Sequence, residues 1–194
     1  MKTTHFGITA TALSGLVIFL APATAFLQDD DHREKGHHDN GAEREMPTEG
    51  VAVLVPTKGN EVFGTLTLQQ QDDHVLVRGK VHGLKPGKHG FHIHQFGDLR
   101  DPEGKSAGGH YNPHGTKHGA PDDHERHPGD LGNIEANSEG VAEVNKKAKG
   151  LKLHFVLGRS FVVHAGMDDL KSQPSGDAGP RVAVGVIGFA EVKK

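Results

Sequence analysis

From Val51 onward, apolar and polar residues alternate in short runs separated by Gly, Pro, Asn and Asp. Val51, Val53 and Val55 form one series and Val62, Leu66 and Leu68 a second; Val75, Val77 and Val81 form a third, set against Leu76, Arg78, Lys80 and His82. A period of two marks a half-buried strand, because successive side chains leave opposite faces of the backbone. Further candidates at 88–96, 131–136, 140–146, 160–164 and 181–190 bring the total to about eight strands with few helical stretches. The pattern predicts an all-β chain folded as an antiparallel β-sandwich or flattened barrel. Two stretches break the rhythm, about 98–129, crowded with Gly, Pro, His and charge, and 165–180. Loops this long without clear secondary structure are usually functional or disordered.

The N-terminal part has a different pattern. Residues 1–25 carry one permanently charged side chain, Lys2, then an apolar stretch, and end in Ala23-Thr24-Ala25, which reads as a secretory signal peptide cleaved near Ala25. The apolar stretch falls short of the ~20 residues a membrane span needs, so no stable membrane anchor is expected. Residues 26–48 are rich in charge and in His32, His37 and His38, too polar to fold alone, and read as an acidic, His-rich disordered tether. Metal capture by those histidines is a secondary reading beside that of a solvated linker. Residues 49–194 then form one domain. With 34% hydrophobic residues, no Trp, one Tyr and 27 Gly, the composition suits short strands and many turns rather than a helical bundle. Nothing in it points to nucleic acid. The absence of Cys removes disulfides and thiolate ligands together, leaving His, Asp and Glu as the strong metal-binding side chains.

His92-Ile93-His94 is the most informative motif, since two residues with one between them on a strand point the same way and can grip one metal. His110, His118, His127, Asp130 and His164 follow in order, and together they make a two-metal ligand set. The spacing H-x7-H-x8-H-x2-D from His110 to Asp130 suits a closed tetrahedral zinc site of N and O donors.

The ordered series, with the runs GFHIHQFGD, RHPGDLGN and DAGPRVAVGVIG, closely resembles the copper/zinc superoxide dismutase family, of the bacterial exported type, from about Glu49 to Val192. The resemblance implies a Greek-key, immunoglobulin-like sandwich. It implies copper on His92, His94, His110 and His164, and zinc on His110, His118, His127 and Asp130, one of each per chain. Imidazole tolerates both copper oxidation states, whereas a carboxylate-rich site would favour harder ions. The shared His110 must lose both ring protons, which two flanking cations can enforce. In the implied reaction superoxide is converted to oxygen and hydrogen peroxide, with His110 coupling proton transfer to electron transfer. Asp168 matches the position that hydrogen-bonds copper-side and zinc-side histidines at once. Arg181 matches a guanidinium beside the copper that attracts a small anion.

Two departures from the family stand out. The usual disulfide between the metal loop and the barrel has no partners, because residues 103–105 and Val184 supply none, so an unusually metal-dependent fold is expected. The stretch from Asp168 to Arg181 looks short and adds only Lys171, while the whole chain carries −3, so global charge opposes an anionic substrate and local field must overcome it. His82, His89, His114 and His124 read as structural or surface residues, and His154 carries no motif. The rival reading is a non-catalytic periplasmic copper- or zinc-binding or delivery module on the same scaffold. Homodimer formation and a metal donor as partner are left open, and export places the protein in the periplasm or outside the cell.

Overall fold

The computed structural model describes residues 46–191; the expected signal peptide and nearly all of the expected tether lie outside the described residues. Eight strands follow in order: β1 (Glu49–Pro56), β2 (Phe63–Gln70), β3 (His74–His82), β4 (Gly87–His94), β5 (Asp130–Ala136), β6 (Ala142–Lys149), β7 (Ser160–His164) and β8 (Arg181–Phe189). Single 3-10 turns lie at Lys105–Ala107 and Leu153–Phe155. Around the sheet the order is β1-β2-β3-β6-β5-β4-β7-β8, every neighbour antiparallel, and β8 returns to β1. The sheet therefore closes into a barrel in which each described strand has a neighbour on both sides.

The alternation predicted from sequence holds on β2 and β3, where Leu66, Leu68, Val75, Val77 and Val81 are buried. It has the opposite phase on β1. There Ala52 and Leu54 enter the core while Val53 and Val55 are 60% and 41% exposed. Both phases of this strand are apolar, so periodicity alone does not choose between them; pairing with β2 and β8 does. On β6 the strand continues past Lys146 to Lys149, because Ala148 keeps the inward phase and pairs with Val75. Lys146 itself occupies an inward-phase position and is half-buried, and burial pulls its amine below the ordinary lysine range. Only Ala136 and Ala142 pair between β5 and β6, so these strands part beyond that point.

Inside the barrel Phe91 of β4 stacks on Phe161 of β7 with ring centroids 5.1 Å apart, and Leu54, Leu66, Leu68, Ile93, Leu153 and Ile187 pack around them. Burying each such side chain contributes about 1.5–3 kcal/mol. On β4 the core takes Phe91 and Ile93, so His92 and His94 project from the outer face, where the two long loops cover them completely. Three backbone hydrogen bonds fasten the first loop to this strand: Ile93 N–H to Gly129, Tyr111 N–H to Ile93, and Gly129 N–H to Tyr111, at 2.9, 2.7 and 3.0 Å. Gly129 is required there, since a Cβ would lie 2.4 Å from the Ile93 carbonyl oxygen.

Where the resemblance would place a disulfide, other contacts hold the loop. Val184 packs with Ala107 and Val162 in a small buried cluster beside the barrel. Lys58 N–H bonds to Pro102, Phe96 N–H to Ala107 and Gln95 N–H to Gly109, at 2.7, 3.0 and 2.9 Å. Arg181 donates to the carbonyls of Gly104 and Gly108.

The phase of β1 gives a direct test. Leu54→Ala should cost about 2–5 kcal/mol by urea unfolding and Val55→Ala less than about 1 kcal/mol. Equal losses would mean that β1 is paired one residue out of register.

Candidate metal centre

His92 and His94 on β4 and His164 at the end of β7 lie on adjacent strands, and His110 is brought in by a single β-bridge to His94. Hydrogen bonds fix which nitrogen of each ring faces inward. His94 Nδ1 donates to the Gly108 carbonyl and His164 Nδ1 to the Gly179 carbonyl, both at 2.9 Å, so each Nε2 carries a lone pair. His92 turns the other way, with Nε2 2.8 Å from Asp168 Oδ2, and leaves Nδ1 free. His92 Nδ1 and Nε2 of His94, His110 and His164 are buried without any hydrogen-bond partner. Inward-facing ligand atoms of the four residues lie within 4.8 Å of one another.

A second group converges on Asp130. Nδ1 of His110, His118 and His127 stand 2.8, 3.0 and 3.0 Å from its Oδ1. His118 Nε2 bonds Asp168 Oδ1 at 2.9 Å and His127 Nε2 bonds the Thr116 carbonyl at 3.1 Å, so when these rings are neutral their Nδ1 lone pairs face the carboxylate oxygen. Lone pair against lone pair is tolerable only with a cation or a proton between them. His118 Nδ1, although close to Asp130, makes no hydrogen bond in this geometry. Backbone N–H groups of Gly119 and His127 donate to Asp130 Oδ2 at 3.2 and 2.9 Å and hold the carboxylate in place. His110 belongs to both groups, Nδ1 facing one and Nε2 the other.

Burial and charge set the protonation states. Burial holds the His94 imidazolium well below its usual range, lowers His164 to about 3, and lowers His110 to about 4 despite Asp130 alongside. His92 is lowered by burial against the pull of Asp168. Burial opposes charge on His118 as well, but Asp130 and Asp168 together outweigh it and push its value up to about 9. The two carboxylates stay far below the usual range, because hydrogen bonds from the rings overcome their burial. Four neutral imidazoles thus face one cluster, and two carboxylates serve the other. Each unsatisfied buried nitrogen costs about 1–3 kcal/mol, a cost a coordinated cation removes. The donor sets match the chemistry of a redox-active copper on imidazoles and a zinc on three imidazoles and one carboxylate.

Asp168 joins the two groups, touching His92 with one oxygen and His118 with the other. Its own backbone is held by Asn133 of β5, whose side-chain amide donates to the Asp168 carbonyl at 2.9 Å and accepts from its N–H at 2.8 Å. The mouth of the centre is a cavity of about 530 Å³ lined by His94, His110, His164, Lys105 and Arg181 among others. Arg181 Nη2 donates to the Gly108 carbonyl at 2.5 Å, the same oxygen that orients His94. Lys171, the cation anticipated from sequence, does not line this cavity; Lys105 of the first loop does.

All nine residues singled out from sequence are thus brought into one region. His114, His124 and His154 are exposed and His82 stacks on Phe63, while buried His89 bridges the carbonyls of Lys85 and His164 from the other face of β4. Sequence reasoning missed Asn133 and Gln173, whose amides act on backbone, and Lys105, whose role depends on loop path; no local motif announces any of them.

The family model for copper/zinc superoxide dismutase matches residues 62–187. A relative, the extracellular superoxide dismutase [Cu-Zn] of Onchocerca volvulus, is 46% identical over 171 residues, covering 81% of this chain and 81% of the relative. That relative is a nematode protein, so the comparison carries the family and not a bacterial branch of it. The chain belongs to the copper/zinc superoxide dismutase family, an oxidoreductase acting on superoxide with copper and zinc as its metals.

Proposed function

We propose that His92, His94, His110 and His164 hold the copper at which superoxide is converted to oxygen and hydrogen peroxide, and that His110, His118, His127 and Asp130 hold the zinc. The observation that carries this reading is the set of five partnerless buried ring nitrogens, four of them aimed into one cluster and the fifth at Asp130. Copper when bound supplies one-electron chemistry, taking an electron from one superoxide and giving it to another. The residues of the chain do the rest. Carbonyls of Gly108 and Gly179 keep the lone pairs of His94 and His164 directed inward. His110 Nε2, facing the copper cluster, is the atom that takes up and gives back a proton, while Nδ1 stays on the Asp130 side. Arg181, fixed by two carbonyls at the cavity, presents a permanent positive charge to the incoming anion.

The same reading divides the chain into a signal peptide over 1–25, a His-rich acidic tether over 26–48 and the enzyme domain over 49–194. Export to the periplasm or the extracellular space, with cleavage near Ala25, is supported by the N-terminal pattern and by the extracellular relative. A homodimer is supported by apolar side chains left exposed on and beside β8 and β1: Val53, Val186, Phe96 and Phe189, at 60%, 36%, 55% and 71%.

In pulse radiolysis of protein loaded with both metals, His164→Ala should abolish catalysed superoxide decay while zinc content stays at one per chain. Retained decay would remove His164 from the copper site. Stripping both metals should lower Tm by on the order of 20 °C, since two tight sites contribute about 4 kcal/mol each and a domain of this size shifts roughly 2–4 °C per kcal/mol. A metal-free protein that melts with the loaded one would contradict the expected dependence of the fold on its metals. Secreted protein should begin at Phe26 by intact mass and sediment as a dimer, and Val53→Glu should make it monomeric with its superoxide activity kept. A mass including residues 1–25, or a monomeric parent, would count against the corresponding half of this reading.

A further inference from the structure

His118 sits in a loop without regular structure, yet its main chain is held on both sides by one side chain. Gln173, from the other long loop, accepts a hydrogen bond from His118 N–H through Oε1 at 2.9 Å and donates from Nε2 to the His118 carbonyl at 2.9 Å. Nε2 also donates to the carbonyl of Lys171 at 3.0 Å, which fixes the amide in its own loop. An amide side chain used this way imitates the paired peptide of a neighbouring strand, so His118 is treated as if it lay in a sheet.

A second observation in the same turn points the same way. Gly176, with φ at 72°, lies so close to the site that a Cβ there would stand 1.8 Å from Asp168 Oδ1 and 2.7 Å from His118 Nε2. Residues 173–176 therefore close directly onto His118: Gln173 grips its backbone, and Gly176 leaves room for the bond between its ring and Asp168. None of the Gln173 bonds uses a ligand atom, so they do not require a metal in order to form. Without a disulfide to order the first loop, a contact of this kind lowers the ordering cost left to the metal.

We propose that Gln173 is a positioning residue that sets the His118 backbone before zinc binds and thereby controls how fast zinc leaves. The inference rests on the zinc ligands assigned above. Groups that orient metal ligands typically change metal affinity 10- to 100-fold when removed; a His118 backbone no longer gripped lets that ligand swing off the metal more readily, so the loss is read in the dissociation rate.

The test uses the protein carrying both metals, with zinc release to excess chelator followed by an indicator dye. Gln173→Ala should release zinc about 10- to 100-fold faster. Gln173→Glu should fall between Gln173→Ala and the parent, because one oxygen still accepts from His118 N–H while the other faces a carbonyl. Ser172→Ala, which removes a hydroxyl bonded to Asp169 in the same loop without touching His118, should leave zinc release unchanged. Cobalt placed in the zinc site should keep the same absorption bands in Gln173→Ala, since its ligands are the same. In metal-free protein, the His118 amide should be protected from hydrogen exchange in the parent and unprotected in Gln173→Ala. Parent-like release from Gln173→Ala, or equal acceleration by Ser172→Ala, overturns the proposal; if Gln173→Ala does not fold, the Glu variant and the exchange of the parent amide decide it. His127→Ala separates the two levels. If that variant holds its zinc as tightly as the parent, the zinc-ligand assignment has failed, whatever Gln173 does.

Discussion

The carboxylate of Asp168 is the contact on which the rest of the centre depends. Its two oxygens reach His92 on strand β4 and His118 on the first long loop, and Asn133 of β5 holds its backbone from beneath. A strand, the first loop and the second loop are therefore referred to one buried anion. Its charge is stabilised, against the cost of its burial, because both neighbours are ring N–H donors. Remove that charge, and His92 and His118 each lose the bond that decides which nitrogen faces inward. One ring orientation in each metal group, that of His92 and that of His118, is thus set by one residue that belongs to neither.

The disulfide's absence is less costly than composition suggests, because the loop is tied down many times over by weak bonds in place of one strong one. Arg181 bonds two of its carbonyls, Ala107 packs on Val162 and Val184, and the 111–129 end lies on β4 as if it were a further strand. Such ties differ from a covalent link in how they act. A disulfide stabilises largely by restricting the unfolded chain, whereas these bonds act only in the folded state and vanish together when the loop opens. Cooperative loss of this kind makes loop order and metal occupancy parts of one equilibrium.

Sequence was a good guide wherever chemistry is carried by residue type at a fixed spacing. The H-x-H pair on β4, the four later histidines and Asp130 were legible because strand parity and ligand chemistry constrain them separately. Strand existence was legible for the same reason of parity. Legibility failed where two answers satisfy the local pattern: β1 is apolar on both faces, so Val51, Val53 and Val55 suggested a phase that Ala52 and Leu54 in fact occupy. The end of β6 was hidden by its lysines, which a splayed strand pair can leave partly in solvent. Asn133 and Gln173 were invisible for a deeper reason. An amide that bonds backbone recognises no residue type, so nothing in its partner's identity betrays the pair.

The placement of positive charge follows from the same loop geometry. A chain with net charge −3 repels an anion at long range, but at physiological salt that repulsion is screened beyond about 8 Å. What superoxide meets is decided within the last few ångströms, by the cavity whose wall includes Arg181 and Lys105. These come from different segments, one from the start of β8 and one from the 3-10 turn of the first loop. Arg181 is also the guanidinium that ties that loop to the barrel through Gly104 and Gly108. The contact that orders the loop therefore brings Lys105 to the mouth as well. Lys105 is ion-paired with Glu103 of the same loop, so the positive charge at the entrance rests chiefly on Arg181, and its placement is a consequence of loop closure.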